Sequence, residues 1–135
     1  FSWGGYPRDE ERILSAYDYL KGDYDLREKG ILLGYSQGGS RALNTGLRHP
    51  ELFRGIIVLA GYYDDGFDRY LRNAKGKTRV CLVIGEEDGL LKSNRRAKQL
   101  MEAAGIPVKL IVVPGLGHTA PAAGEVEKAI QWVLK

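Results

Sequence analysis

The chain holds one cysteine, Cys81, in 135 residues. A single thiol closes no internal disulfide and is too few for a cysteine-rich structural zinc site. No apolar run approaches the roughly 20 residues needed to cross a bilayer, so no membrane span is expected. The opening FSWGGYPRDE has neither the basic nor the apolar region of a secretion signal. With the lone cysteine, this makes the cytoplasm the expected compartment. An excess of one charge is also lacking: 20 Lys and Arg face 17 Asp and Glu, a net +3. The tightest basic cluster contains only Lys92, Arg95, Arg96 and Lys98, and reads as the solvated face of a helix. A nucleic-acid footprint needs a continuous basic stripe, so no nucleic-acid partner is expected.

What is present describes a folded domain. Hydrophobic residues make up 44% and charged residues 27%, enough to offset chain entropy and exclude general disorder. The length suits one domain spanning residues 1–135. Glycine is abundant, at 18 of 135 residues, about twice the usual share of roughly 7%. No repeat or Gly/Ser tract accounts for it, which leaves corners between strands and helices.

Hydrophobic spacing orders the elements. A helix is expected over residues 9–20, with Ile13, Leu14, Tyr17 and Leu20 on one face. A short apolar run at residues 30–33 follows, then a helix over 37–48 with Ala42, Leu43, Gly46 and Leu47 inward. Residues 55–60 (GIIVLA), 79–84 (RVCLVI) and 108–113 (VKLIVV) are apolar runs rich in β-branched residues. Strands covered on both faces of a parallel sheet read this way. Helices are expected over 94–104 and 122–134, the latter burying Val126, Ala129, Ile130, Val133 and Leu134. Residues 61–78 read as loop with a helical turn near 67–71. Strands alternating with helices predict an α/β fold, a parallel sheet with helices on both faces.

Reactive side chains fall at three strand ends, where parallel sheets gather their ligands. Gly34-Tyr35-Ser36-Gln37-Gly38 is a G-x-S-x-G sequence between a strand and a helix, the context of a nucleophile elbow. Ser36 is the candidate nucleophile, with the Gln37 backbone N–H and the helix N-terminus facing developing negative charge. A hydroxyl needs a base beside it. His118, in Pro114-Gly115-Leu116-Gly117-His118, follows the last strand, whereas His49 closes a helix and reads as structural. Asp88, in Gly85-Glu86-Glu87-Asp88, is the candidate to orient the histidine, with Asp64 or Asp65 as alternatives. The glycine-rich turn lacks both the P-loop ending and the G-x-G-x-x-G spacing.

These motifs, with H-P-E-L-F-R-G-I at residues 49–56, resemble the carboxylesterase/phospholipase branch of the α/β-hydrolases, which includes acyl-protein thioesterases. The resemblance extends over nearly the whole chain. It implies a Ser36–Asp88–His118 triad, ester or thioester substrates and no metal or organic cofactor. Trp3, Tyr35, Leu90, Leu91 and Leu116 are candidates for the acyl pocket, and each also reads as a core residue. The resemblance further implies a longer sheet, of which this chain carries only the last four strands. The elbow strand then becomes an exposed edge, to be covered by a missing N-terminal half or by a second copy in a homodimer. A non-catalytic binding or assembly module working through that edge is the alternative to an esterase.

Overall fold

The computed structural model describes residues 4–23 and 29–135. Its elements are α1 (Tyr6–Asp23), β1 (Gly30–Tyr35), α2 (Gln37–Arg48), β2 (Phe53–Leu59), a 3-10 helix (Asp65–Tyr70), α3 (Leu71–Ala74), β3 (Arg79–Gly85), α4 (Leu91–Ala103), β4 (Val108–Val113) and α5 (Ala123–Val133). The four strands pair in parallel in the order β1-β2-β3-β4. Parallel neighbours need a crossover between them, and α2, the 3-10/α3 segment and α4 supply it in turn. The expected α/β architecture is the observed one.

Burial along the strands follows this order. The inner strands β2 and β3 are buried along nearly their whole length, which is why they read as unbroken apolar runs. On one face, Leu43 and Leu47 of α2 and Met101 of α4 pack with Ile56, Val58, Val80 and Leu82. On the other, Ala129 and Val133 of α5 cover Ile57, Leu59, Cys81 and Val83. Burial pushes the Cys81 thiol up to about 11, so it stays protonated inside this layer. Ile130 and Leu134, expected in the core, are 37% and 48% exposed. They lie about 100° around the helix from the stripe of Val126, Ala129 and Val133.

The first helix departs further from expectation. Leu20 is 46% exposed, while the fully buried positions of α1 are the charged Asp9 and Glu10. Both carboxylates face cations of α2. Asp9 Oδ2 accepts from Arg41 Nε at 3.0 Å and its Oδ1 from the Gly4 amide at 2.9 Å. Glu10 meets Arg48 at 2.9 Å and His49 at 2.6 Å. Helix α1 thus docks through paired charges as well as apolar contact, a pattern periodicity does not detect. Burial alone would raise the Asp9 carboxyl, but the Gly4 amide and the Arg41 guanidinium outweigh it and hold Asp9 below its ordinary value.

This gives a signed expectation. A carboxyl depressed in the folded state stabilises fully above its unfolded value of about 3.9 and loses that contribution as pH falls through the lower folded value. The gap in melting temperature between the parent chain and Asp9→Asn should be widest near neutrality and narrow below about pH 4. Calorimetry across that range checks it, and a gap constant with pH would be the wrong outcome.

Candidate active site

Strand β1 ends at Tyr35, and the chain turns at once into α2, so Ser36 is the corner residue. Its backbone has φ 53° and ψ −118°, a conformation that side-chain-bearing residues seldom adopt. Gly34 makes the corner feasible. A Cβ there would lie 2.1 Å from the Gly38 carbonyl oxygen and 2.7 Å from the Gly39 nitrogen. The Ser36 amide is anchored to Leu59 O at 2.8 Å, which ties the corner to the adjoining strand end.

A serine at a helix start ordinarily caps the helix with its hydroxyl. Ser36 makes no such bond. Its Oγ lies 3.2 Å from His118 Nε2, and His118 Nδ1 lies 2.8 Å from Asp88 Oδ2. The second oxygen of Asp88 accepts the Leu90 amide at 2.9 Å. The Asp88 side chain is 1% exposed, whereas that of His118 is 45% exposed. A buried carboxylate gripped from both sides fixes the imidazole, and the imidazole presents its other nitrogen to a half-buried hydroxyl. Such an arrangement permits proton transfer from hydroxyl to ring. Gln37 opens α2, so its N–H belongs to the first turn, which has no intrahelical acceptor.

The structure therefore brings Ser36, Asp88, His118 and the Gln37 amide together. The alternative carboxylates are engaged elsewhere: Asp64 bonds Gly66 N–H and Tyr6 OH, and Asp65 pairs with Arg96. His49 sits at the far end of α2 between Glu10 and Glu51. Of the proposed acyl-pocket residues, Trp3 lies outside the described residues. Tyr35 is 43% exposed, and its ring stacks beside His118, centroids 6.2 Å apart at 22°. Leu90 and Leu116 are half-buried in the loops that carry Asp88 and His118, and Leu91, also half-buried, opens α4.

One position escaped the sequence reading. Gly85 ends β3, and a Cβ there would fall 2.1 Å from Leu116 O and 2.6 Å from Gly117 O. The loop bearing His118 crosses the strand end on this glycine, stitched by Glu87 N–H to Leu116 O at 2.9 Å. The available signal was a glycine closing an apolar strand just before Glu86-Glu87-Asp88. Among the described residues, no group of three or more His, Cys, Asp or Glu side chains is placed to hold a metal, and no helix is long and apolar enough to cross a membrane.

Comparison with known proteins gives the fold a class. The structure superimposes on Arabidopsis thaliana SOBER1 with a TM-score of 0.78 at 22% identity, covering 96% of this chain and 65% of that one. The fold is that of the α/β-hydrolases. The model of the Esterase family, described as "Putative esterase", matches residues 16–108, about two thirds of the sequence, and the chain belongs to that family. Acyl-protein thioesterase 1 of Gibberella zeae is 30% identical over 99 residues, 69% of this chain and 42% of the relative. A rice protein named "Probable inactive carboxylesterase" is 25% identical over 139 residues, 95% of this chain and 56% of the relative. The chain spans about half the length of the curated relatives it matches.

Proposed function

We propose that the chain carries the reactive centre of a serine hydrolase that cleaves carboxylic esters or thioesters through an acyl-enzyme on Ser36. The observation that carries this reading is the continuous contact from Ser36 Oγ to His118 and on to Asp88, at 3.2 and 2.8 Å. Family membership and the acyl-protein thioesterase relative support the substrate class.

In this reading His118 Nε2 takes the Ser36 proton as Oγ attacks the substrate carbonyl carbon. The resulting oxyanion faces the Gln37 N–H and the positive end of the α2 dipole. Collapse expels the alcohol or thiol, which takes the proton from His118. Water then adds to the acyl carbon, giving its proton to the same ring, and a carboxylic acid leaves with Ser36 restored. Asp88 holds the Nδ1 proton throughout and offsets the transient imidazolium charge. No step calls for a metal or organic cofactor. The exposed Tyr35 ring beside His118 would meet the bound ester.

A fluorophosphonate tests the nucleophile directly. Intact-mass spectrometry should show one adduct, mapped to Ser36, absent in Ser36→Ala and strongly slowed in His118→Ala. A second reading, assembly through the free side of β1, is favoured by that strand's place at the sheet edge and by Leu33, 47% exposed on it. The rice relative's printed name describes that protein as a "Probable inactive carboxylesterase", which favours a chain without turnover. No adduct on a folded sample would select this second reading.

A further inference from the structure

Helix α4 turns Asn94, Ala97 and Met101 to the interior, and Asn94 is 1% exposed. Positions spaced i, i+3 and i+7 on an inward face call for apolar residues, and asparagine is neither apolar nor a good helix former. A buried amide in such a place must find hydrogen-bond partners, and the partners indicate its role.

Both protons of the Asn94 Nδ2 group are used. One goes to Leu90 O and the other to Gly61 O, each at 2.9 Å. These carbonyls belong to the two segments that carry the reactive centre. Leu90 follows Asp88, and its amide donates to Asp88 Oδ1 at 2.9 Å. Gly61 follows β2 and lies against the elbow: a Cβ there would come within 3.2 Å of Ser36 O and 3.3 Å of Gly39 Cα. The residues before Gly61 are tied down as well. Leu59 O accepts the Ser36 amide, and Ala60, at φ 49°, donates its amide to Val83 O.

We infer that Asn94 is a positioning residue that sets the distance between the Asp88 loop and the Ser36 elbow. The inference rests on the proposed ester chemistry at Ser36, because that chemistry makes the distance matter. From the elbow the contacts run through Gly61, Asn94, Leu90, Asp88 and His118, and back to Ser36. The longest hydrogen-bond link in this circuit is Ser36 Oγ to His118 Nε2, 3.2 Å, at the upper end of the hydrogen-bond range. A shift of about 0.5 Å in the Asp88 loop would take the imidazole out of reach of the hydroxyl.

Asn94→Leu, close in shape and without donors, tests the role through two readouts. Turnover of an activated ester should fall about 10- to 100-fold in kcat per folded molecule with KM little changed, the mark of misplaced reacting groups. Long-range proton–nitrogen NMR of the neutral His118 ring should show the parent with its proton on Nδ1 and the variant with both tautomers, since a loosened Asp88 no longer selects one. Asn44→Leu, the same change at a buried asparagine of α2 outside this circuit, should match the parent in both readouts. Asn94→Ser is too short to reach Gly61 O and should move both readouts in the same direction if Asn94→Leu does not fold. A folded variant at position 94 with parent kcat and the parent tautomer would overturn the inference, even with a lowered melting temperature. A parent whose Ser36 takes no fluorophosphonate would overturn the ester reading instead, and the tautomer comparison would still decide whether Asn94 sets Asp88. A parent ring carrying its proton on Nε2 would overturn both.

Discussion

Asp88→Asn is expected to lower kcat toward an activated ester by about 10³–10⁴ while the fold is retained. The reason lies in the two bonds Asp88 makes at once. Its Oδ1 accepts the Leu90 amide at 2.9 Å, and its Oδ2 receives His118 Nδ1 at 2.8 Å. An asparagine oxygen facing Leu90 places its NH₂ against His118 Nδ1. The ring must then accept there and carry its proton on Nε2, where it faces Ser36 as a donor. Such a tautomer takes no proton from the hydroxyl. The isosteric change leaves packing intact, so melting temperature should move far less than turnover. Unchanged turnover in a folded variant would remove Asp88 from the proposed relay. Asp64 and Asp65 offer no easy replacement, since Gly66, Tyr6 and Arg96 already hold them.

The second large effect concerns two glycines. A methyl group at Gly34 would sit 2.1 Å from the Gly38 carbonyl oxygen, and one at Gly85 would sit 2.1 Å from that of Leu116. Both obstacles are backbone, so relief requires a corner or a loop to move. Gly34→Ala and Gly85→Ala should each destabilise the chain by roughly 3 kcal/mol or more, above the usual cost of overpacking. Their consequences differ in place. The first distorts the turn that presents Ser36, and the second lifts the loop that brings His118 over the sheet. Gly124→Ala is the control: nothing lies within 4 Å of an added Cβ there, and α5 should gain up to about 1 kcal/mol in helix propensity. Denaturant titration of the three variants checks the order, and parent-like stability in Gly85→Ala would mean that the His118 loop is not seated on β3.

The strands were legible because burial on both faces writes an unbroken apolar run, as in residues 79–84. Helix α2 was legible in both extent and inward face, since Ala42, Leu43, Gly46 and Leu47 repeat at helical spacing. The docking of α1 was not. Its buried Asp9 and Glu10 resemble solvated first-turn acids until Arg41, Arg48 and His49 are brought against them from 30 to 40 positions away. The short 3-10 and α3 segments were read only as a helical turn, because so few residues carry no periodicity. The role of Gly85 was hidden for a related reason: the atoms that forbid a side chain there belong to residues 116 and 117.

The sequence by itself determined the element order, the α/β class and the residue types offered at the three strand ends, all properties of local spacing and composition. Tertiary structure alone decided which side chains meet. Ser36 and His118 are separated by 82 positions and His118 and Asp88 by 30, and only parallel pairing of β1 through β4 sets their strand ends side by side. The stacking of Tyr35 beside His118 and the bond from Asn94 to Gly61 O arise in the same way. Local preference acts over a turn or a strand, whereas contact between distant residues follows from how buried faces pack.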